Sequence, residues 1–136
     1  MIRILTVDDT PGWLQFNIAA LKNIFGKNEI EIETAGSAKD GYDKVLFNSK
    51  TPYDLIITDL QMESDFAPMI AGEWFVRQIQ TFPSYLNTKI LIVSAMYNIE
   101  MTAVLLGVDF LSKRMLISGG ELPLKLKLEE MGIIKE

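Results

Sequence analysis

Four apolar segments of this sequence end on side chains that could take part in metal or phosphoryl chemistry. The segments are 2–7, 55–58, 90–93 and 108–112, and the side chains that follow them are Asp8 and Asp9, Asp59, Ser94 and Lys113. If the segments are parallel strands of one sheet, their carboxyl ends lie along the same edge. Three carboxylates, a hydroxyl and an ammonium would then share a pocket suited to a divalent cation and a phosphoryl group.

The composition narrows the classes of chemistry and of partner. The chain has 136 residues, of which 49% are hydrophobic, so we expect one domain over 1–136 with a substantial core. It contains neither cysteine nor histidine, which excludes thiolate and imidazole chemistry by its own side chains. The net charge of −5 disfavours direct contact with nucleic acid. Without a secretory signal or a membrane-spanning stretch, a cytoplasmic location is expected.

Strand and helix patterns alternate along the chain. Strands are predicted at 2–8, 29–35, 53–59, 89–94 and 108–112. Helical spacing predicts a first helix that begins after Thr10-Pro11 and stops at Gly26, and a second that begins with a capping box from Ser37 to Asp40. Two more helices are predicted at 69–80 and 98–106. Trp74 is expected in the core, and so is Trp13, although its position four residues after Asp9 could also place it near the site.

The segment after Lys113 has two interpretations. The leucines at 122, 124, 126 and 128 alternate as in a strand. Ser118 and Glu121 match a capping box, which would put Pro123 near the first turn of a helix. The helix is favoured, because the last face of the sheet must be covered. The 23 residues that follow Lys113 suffice for one helix.

The order of these elements predicts an α/β fold, a (βα)5 doubly wound five-stranded parallel sheet. In the flavodoxin-like strand order 2-1-3-4-5, the first and third strands are neighbours. The carboxylates of Asp8, Asp9 and Asp59 would therefore lie close together. Carboxylates that cluster repel one another, and Mg²⁺ relieves that repulsion because it prefers oxygen ligands. An aspartate beside the ion and Lys113 is well placed as a nucleophile toward phosphorus.

These motifs together resemble those of response-regulator receiver domains, over nearly the whole chain. The matching residues are, in chain order, the acidic pair Asp8-Asp9, the strand-end Asp59 with Leu60 and Met62 behind it, Ser94-Ala95, and Lys113 with Phe110 three residues earlier.

The resemblance implies a role for each residue. Asp59 would accept a phosphoryl group from a partner sensor histidine kinase, a histidine phosphotransfer protein or a small acyl phosphate. Asp9, Asp59 and the backbone carbonyl of Gln61 would bind Mg²⁺ directly, and Asp8 would act through water. Ser94 and Lys113 would contact the phosphoryl group, and Phe110 would change rotamer with them.

The resemblance also implies how the signal would leave the domain. Phosphorylation would remodel the surface of the fourth helix, fifth strand and fifth helix, where a downstream protein or a second copy would bind; Met101 and Leu105 are exposed candidates there. Such a switch catalyses its own phosphotransfer and is not an enzyme with an outside substrate. This chain is expected to carry no output domain.

Two departures from the family pattern stand beside the site. Arg114 follows the lysine where the family usually has a proline. Residues 63–67 are interpreted as a five-residue insertion between Met62 and Pro68. Glu63 or Asp65 could approach the metal, although solvated loop charges are the simpler expectation.

Two other functions compete with this interpretation. One is a receiver-like scaffold that is never phosphorylated. The other is a phosphatase of the haloacid-dehalogenase type, whose first strand ends in Asp-x-Asp. Here the two acids are adjacent and Thr10 occupies the position of the second acid, so the phosphatase is disfavoured.

Overall fold

A five-stranded parallel sheet forms the centre of the protein. The computed structural model describes residues 1–63 and 65–134; Ser64, within the predicted insertion, lies outside them. The strands are β1 Ile2–Val7, β2 Ile30–Ala35, β3 Leu55–Thr58, β4 Lys89–Ser94 and β5 Asp109–Ser112. They pair in the order β2-β1-β3-β4-β5, all parallel, which confirms the predicted fold and strand order.

Six α-helices in the described part of the chain cover both faces of this sheet. They are α1 Pro11–Phe25, α2 Ala38–Phe47, α3 Ala71–Gln80, α4 Ile99–Leu106, α5 Lys113–Gly119 and α6 Leu122–Glu130, with short 3-10 turns at Pro68–Ile70 and Pro83–Tyr85. One core packs α2, α3 and α4 against the sheet, and the other packs α1, α5 and α6. In the central strands β1, β3 and β4, alternate side chains point to opposite cores, whereas the edge strand β2 carries Glu31 and Glu33 on one of its faces.

The first two helices begin as the sequence predicts. Pro11 occupies the first turn of α1, although the Thr10 side chain makes no capping hydrogen bond there. Gly26 ends this helix with a φ of +86°, a conformation that favours glycine. At the start of α2, the Ser37 Oγ accepts a hydrogen bond from the Asp40 N–H at 3.0 Å.

The segment after the last strand is helical, as favoured, but it forms two helices where one was expected. Gly120, with a φ of +65°, separates α5 from α6. The predicted capping box is wrong, because Ser118 lies inside α5 and its hydroxyl donates to the Arg114 carbonyl at 3.0 Å. Glu121 stands at the start of α6 without a side-chain cap, and Pro123 falls in the first turn.

The helices are short for membrane insertion. Over residues 1–63 and 65–134, none combines the length and the apolar character that crossing a bilayer requires.

Candidate functional site

The register of the sheet brings the reactive side chains to one edge. Val7 pairs with Thr58 on adjacent strands, so the residues that follow them, Asp8 and Asp59, leave the sheet side by side. On the next two strands, β4 and β5, Ser94 pairs with Ser112, and Lys113 directly follows Ser112. Parallel pairing thus gathers residues that are far apart in the sequence.

Three carboxylates form a cluster at this edge. Asp8, Asp9 and Asp59 each offer an oxygen, and these oxygens lie within 4.8 Å of one another. Asp8 is 3% exposed and Asp59 is 7% exposed, while Asp9 is partly exposed. Burial raises the pKa of Asp8 above its ordinary value, although hydrogen bonds from Lys113 and from the Thr10 N–H oppose the rise.

Lys113 is a buried ammonium between two of these acids. Its Nζ lies 2.8 Å from Asp8 Oδ2 and 2.9 Å from Asp59 Oδ2. Burial by itself would lower the pKa of Lys113, but the hydrogen bonds to both carboxylates outweigh it and raise the pKa. The lysine therefore stays charged and directs that charge at Asp59.

The donor set fits a divalent cation of the Mg²⁺ type. Three carboxylates and one ammonium leave two negative charges in the cluster (−3 + 1 = −2). A hard divalent ion with oxygen ligands would neutralise that excess. Gln61 lines the same cleft as Asp9 and Asp59, on the loop that continues from the strand end.

The two oxygens of Asp59 have different partners. The Leu60 N–H donates to Oδ1 at 2.7 Å, and Lys113 donates to Oδ2. The carboxylate opens onto a cleft of about 260 Å³ that Ser94 also lines. The Ser94 hydroxyl is buried and accepts a hydrogen bond from the Met96 N–H at 3.2 Å.

Gly72 holds the start of α3 against the strand end that carries Asp59. Its N–H donates to the Leu60 carbonyl at 2.9 Å. A Cβ at this position would lie 2.1 Å from the Asp59 carbonyl oxygen, closer than any real contact. The sequence gives little sign of this contact, since Gly72 is one glycine near the start of a helical pattern.

The two residues that flank the predicted insertion, Met62 and Pro68, are hydrogen-bonded to each other beside the site. The Met62 N–H donates to the Pro68 carbonyl at 3.1 Å, so the chain returns to its starting point after the inserted residues. Asp65 accepts hydrogen bonds from the N–H groups of Ala38 and Lys39 at 2.8 and 3.2 Å, and thereby caps α2. Asp65 thus serves neither as a metal ligand nor as a solvated charge, the two roles considered for it.

Glu63 reaches the site through its backbone. Its N–H donates to Asp9 Oδ2 at 2.6 Å, and its carboxylate accepts from the Gln61 side chain. Among the described residues, the carboxylate cluster contains Asp8, Asp9 and Asp59 but not Glu63. The loop therefore orients Asp9 without adding a fourth acid to the cluster.

An open groove lies on the far side of this loop, between α2 and α3. It has a volume of about 620 Å³, and its apolar lining includes Tyr42, Phe66, Ile70 and Trp74. The rings of Tyr42 and Trp74 are 5.3 Å apart, and Trp74 is 40% exposed. The expectation that Trp74 belongs to the core is wrong, because the face of α3 that carries it turns toward the groove.

The junction after β5 has no loop. The Ser112 Oγ accepts from the Arg114 N–H at 3.2 Å and caps α5, which begins at Lys113 itself. The side-chain cap therefore lies one residue before the lysine, and Arg114, in place of the usual proline, donates the capping N–H.

Two aromatic residues on the elements that carry the site pack at the edges of the two cores. Phe110 is partly buried against the core of α2, α3 and α4, with the Lys127 Nζ 5.7 Å from its ring; it does not line the cleft. Trp13 packs at the edge of the other core, and its ring lies 4.9 Å from the Lys113 Nζ. The position four residues after Asp9 indicated that Trp13 could lie near the site, but the contact with Lys113 was not predicted.

The chain belongs to the response regulator receiver domain family, whose model matches residues 4–119. None of the curated proteins matches it by sequence.

Solved structures support the same assignment at the level of the fold. The chain is similar to the signal receiver domain of a DNA-binding response regulator from Colwellia psychrerythraea 34H, with 21% identity, a TM-score of 0.70, and coverage of 95% of this chain and 99% of that one. It is also similar to the phosphorylated cyanobacterial phytochrome response regulator RcpA, with 18% identity, a TM-score of 0.76, and coverage of 94% and 91%. For the Mn²⁺-bound form of response regulator Rcp1, identity is 16%, the TM-score 0.75, and coverage 99% and 98%.

Proposed function

We propose that this domain is a phospho-accepting switch of a two-component phosphorelay, with Asp59 as the phosphoacceptor. The observation that carries the proposal is the pair of fixed contacts on the Asp59 carboxylate, Leu60 N–H on one oxygen and the Lys113 ammonium on the other. These contacts orient a nearly buried nucleophile toward an open cleft with room for a phosphoryl group.

The transfer step needs no acid or base from this chain. A bond forms between an Asp59 oxygen and phosphorus, and the bond from phosphorus to the donor's leaving atom breaks. That atom is the imidazole nitrogen of a partner's phosphohistidine or the acyl oxygen of a small acyl phosphate, and it keeps the electron pair. Lys113 and the Ser94 hydroxyl then contact the oxygens of the transferred group.

Asp8, Asp9, Asp59 and the backbone carbonyl of Gln61 would hold Mg²⁺, with Asp8 acting largely through water. When bound, the ion neutralises negative charge on the oxygens of the transferring group. The Mn²⁺-bound relative named above supports an ion site in this fold. The Glu63 N–H orients Asp9 for that role.

The output is a change in protein–protein contact. Movement of Ser94, Lys113 and Phe110 would remodel the surface of α4, β5 and the helical segment after β5, predicted as one fifth helix and formed here by α5 and α6. On α4, Met101 and Leu105 are 62% and 74% exposed. The partners are a sensor histidine kinase or histidine phosphotransfer protein upstream and a protein target downstream, with a homodimer through this surface as one form of output. The domain acts on itself, without an outside substrate.

The decisive experiment is phosphorylation by acetyl phosphate in the presence of Mg²⁺, followed by intact-mass measurement. We expect one phosphoryl adduct that base removes. Asp59→Asn should abolish the adduct, and Asp65→Asn, an acid outside the cluster, should leave it unchanged. Phosphoramidate, whose P–N bond imitates phosphohistidine, should give the same adduct.

Two outcomes separate the alternatives. Absence of any adduct at all Mg²⁺ concentrations would favour the scaffold that is never phosphorylated. Turnover of phosphate esters such as p-nitrophenyl phosphate, lost in Asp8→Asn, would favour the phosphatase.

A further inference from the structure

The Lys113 ammonium has two carboxylate partners and one aromatic partner. Its Nζ donates to Asp8 and Asp59, and the centre of the Trp13 ring lies 4.9 Å away. Lys113 is 6% exposed, so little water reaches the ammonium. An indole face attracts a cation, more strongly where the cation is desolvated.

Trp13 is held by a backbone hydrogen bond and by a contact of its ring with a neighbouring aromatic side chain. Its backbone N–H donates to the Thr10 carbonyl at 3.0 Å, in the first turn of α1 after Pro11. Its ring meets Phe16 edge-on, with centroids 5.6 Å apart and an interplanar angle of 73°. An aromatic pair of this geometry is favourable in itself, so the indole is oriented independently of the lysine.

The two carboxylates hold the ammonium before transfer, but the transfer itself changes one of them. A lysine head group is a compact charge on a flexible stem, and its hydrogen bonds rotate easily. During transfer, Asp59 changes from a carboxylate to an acyl phosphate, and one of the two anchors of Lys113 is altered. The indole keeps its position and its negative face throughout.

We propose that Trp13 is a positioning residue for Lys113: its indole face holds the ammonium beside Asp59, so that the ammonium meets the phosphoryl oxygens as the group transfers. This inference rests on the proposed phosphotransfer to Asp59. The competing role is simple space-filling at the edge of the core, which any apolar side chain of similar size would serve.

A fluorinated tryptophan series distinguishes these two roles. Fluorine atoms withdraw electrons from the indole face and weaken its attraction for a cation while nearly preserving its shape. The chain has two tryptophans, so Trp74→Phe leaves Trp13 as the single labelled site. With saturating Mg²⁺, the maximal rate of phosphorylation by acetyl phosphate should fall steadily with each added fluorine, to about one tenth of the unlabelled rate. Donor KM should change little.

Substitutions provide the second arm. Trp13→Leu keeps apolar volume but removes the aromatic face, and should slow the reaction about tenfold. Trp13→Phe should recover part of the rate. Trp74→Leu, in the groove and away from the site, is the matched control and should leave the rate unchanged.

A readout without donor or metal tests the contact itself. The Cε protons of Lys113 should resonate upfield because of the indole ring current, and this shift should vanish in Trp13→Leu and persist in Trp74→Leu.

The outcomes separate the two proposals. A rate that stays constant across the fluorinated series, with the adduct still forming on Asp59, overturns the role of Trp13 alone. No adduct in the parent protein overturns the proposed function and the role of Trp13 with it, and a persistent upfield shift would then mark the contact as purely structural. A graded rate together with the upfield shift supports the positioning role.

Discussion

Trp13 and Trp74 lie in two regions that different forces stabilise. Trp13 faces a buried ammonium and two carboxylates at the carboxyl edge of the sheet. Trp74 packs against Tyr42, with the two ring planes tilted by 41°, in an open apolar groove between α2 and α3. In the first region the balance of charge dominates, because ions that leave water must be compensated. In the second, apolar contact dominates, and charge lies only on the rim.

The two regions depend on different parts of the fold. Strand register places Asp8, Asp59 and Lys113, so a small backbone shift at the sheet edge disturbs all of them. Helix faces and residues 65–67 of the loop line the groove, so substitutions there act locally. Effects in the acidic site should therefore be large and should respond to divalent ions, while effects in the groove should be moderate and independent of ions.

The largest effect is expected at Gly72, where the two regions meet. Gly72→Ala would place a Cβ 2.1 Å from the Asp59 carbonyl oxygen, and backbone atoms cannot yield as a side chain can. We expect the free energy of unfolding to fall by about 4 kcal/mol or more, measured by urea denaturation. Gly12→Ala is the matched control: no atom lies within 4 Å of its Cβ, and it should stabilise α1 by about 0.5 kcal/mol. Equal stability of the two variants would refute the close packing at Gly72.

Lys113→Met tests the dependence on charge balance. It leaves Asp8 and Asp59 buried without their cation, which should cost about 3 kcal/mol of unfolding free energy without divalent ions. Added Mg²⁺ should restore part of that loss, because it would compensate the same carboxylates. Lys39→Met removes the exposed ion pair with Asp43 at the groove and should cost less than about 0.5 kcal/mol. A loss in Lys113→Met that Mg²⁺ leaves untouched would contradict an ion site at these acids.

Trp74→Ala tests the groove. The side chain is 40% exposed, so we expect a loss of about 2 kcal/mol, less than for a fully buried aromatic. The loss should be the same with and without Mg²⁺, as measured by thermal or urea unfolding. A dependence on Mg²⁺ as strong as that of Lys113→Met would erase the distinction between the regions.

The smallest effect is expected at Asp65, which caps α2 from the loop between Met62 and Pro68. Asp65→Ala removes the acceptor of the Ala38 and Lys39 N–H groups and should cost about 1 kcal/mol. Asp65→Asn keeps an acceptor oxygen and should cost less. Amide hydrogen exchange at residues 38 and 39 would report the loss directly; unchanged protection in Asp65→Ala would exclude the cap.

The acidic site could be predicted from the sequence because the strand positions and their parallel pairing determine it. Apolar runs of strand length, separated by helical patterns, fix a parallel sheet, and a parallel sheet puts strand-end residues together. Asp8, Asp9 and Asp59 follow from that geometry alone, and so does the approach of Lys113. The structure bears out only that these side chains lie together; the roles of all the site residues, Gln61, Ser94 and Phe110 included, remain predictions.

The parts that the sequence did not predict depend on how loops and helix ends fit in three dimensions. Trp74 matches the apolar spacing of α3, but the rotation of that helix exposes it. Asp65 caps a helix that begins 27 residues earlier, which no local pattern encodes. Ser118 and Glu121 match a capping box, yet Ser118 lies in the interior of α5, because Ser112 already starts that helix.

The absence of a loop between β5 and α5 has a mechanical consequence. Ser112 ends the strand, and Lys113 is already the first residue of the helix. A flexible loop would absorb a displacement of the lysine backbone, but here the strand and the helix are consecutive. A displacement of the Lys113 backbone would therefore be passed directly to α5, whose seven residues follow the strand without an intervening turn.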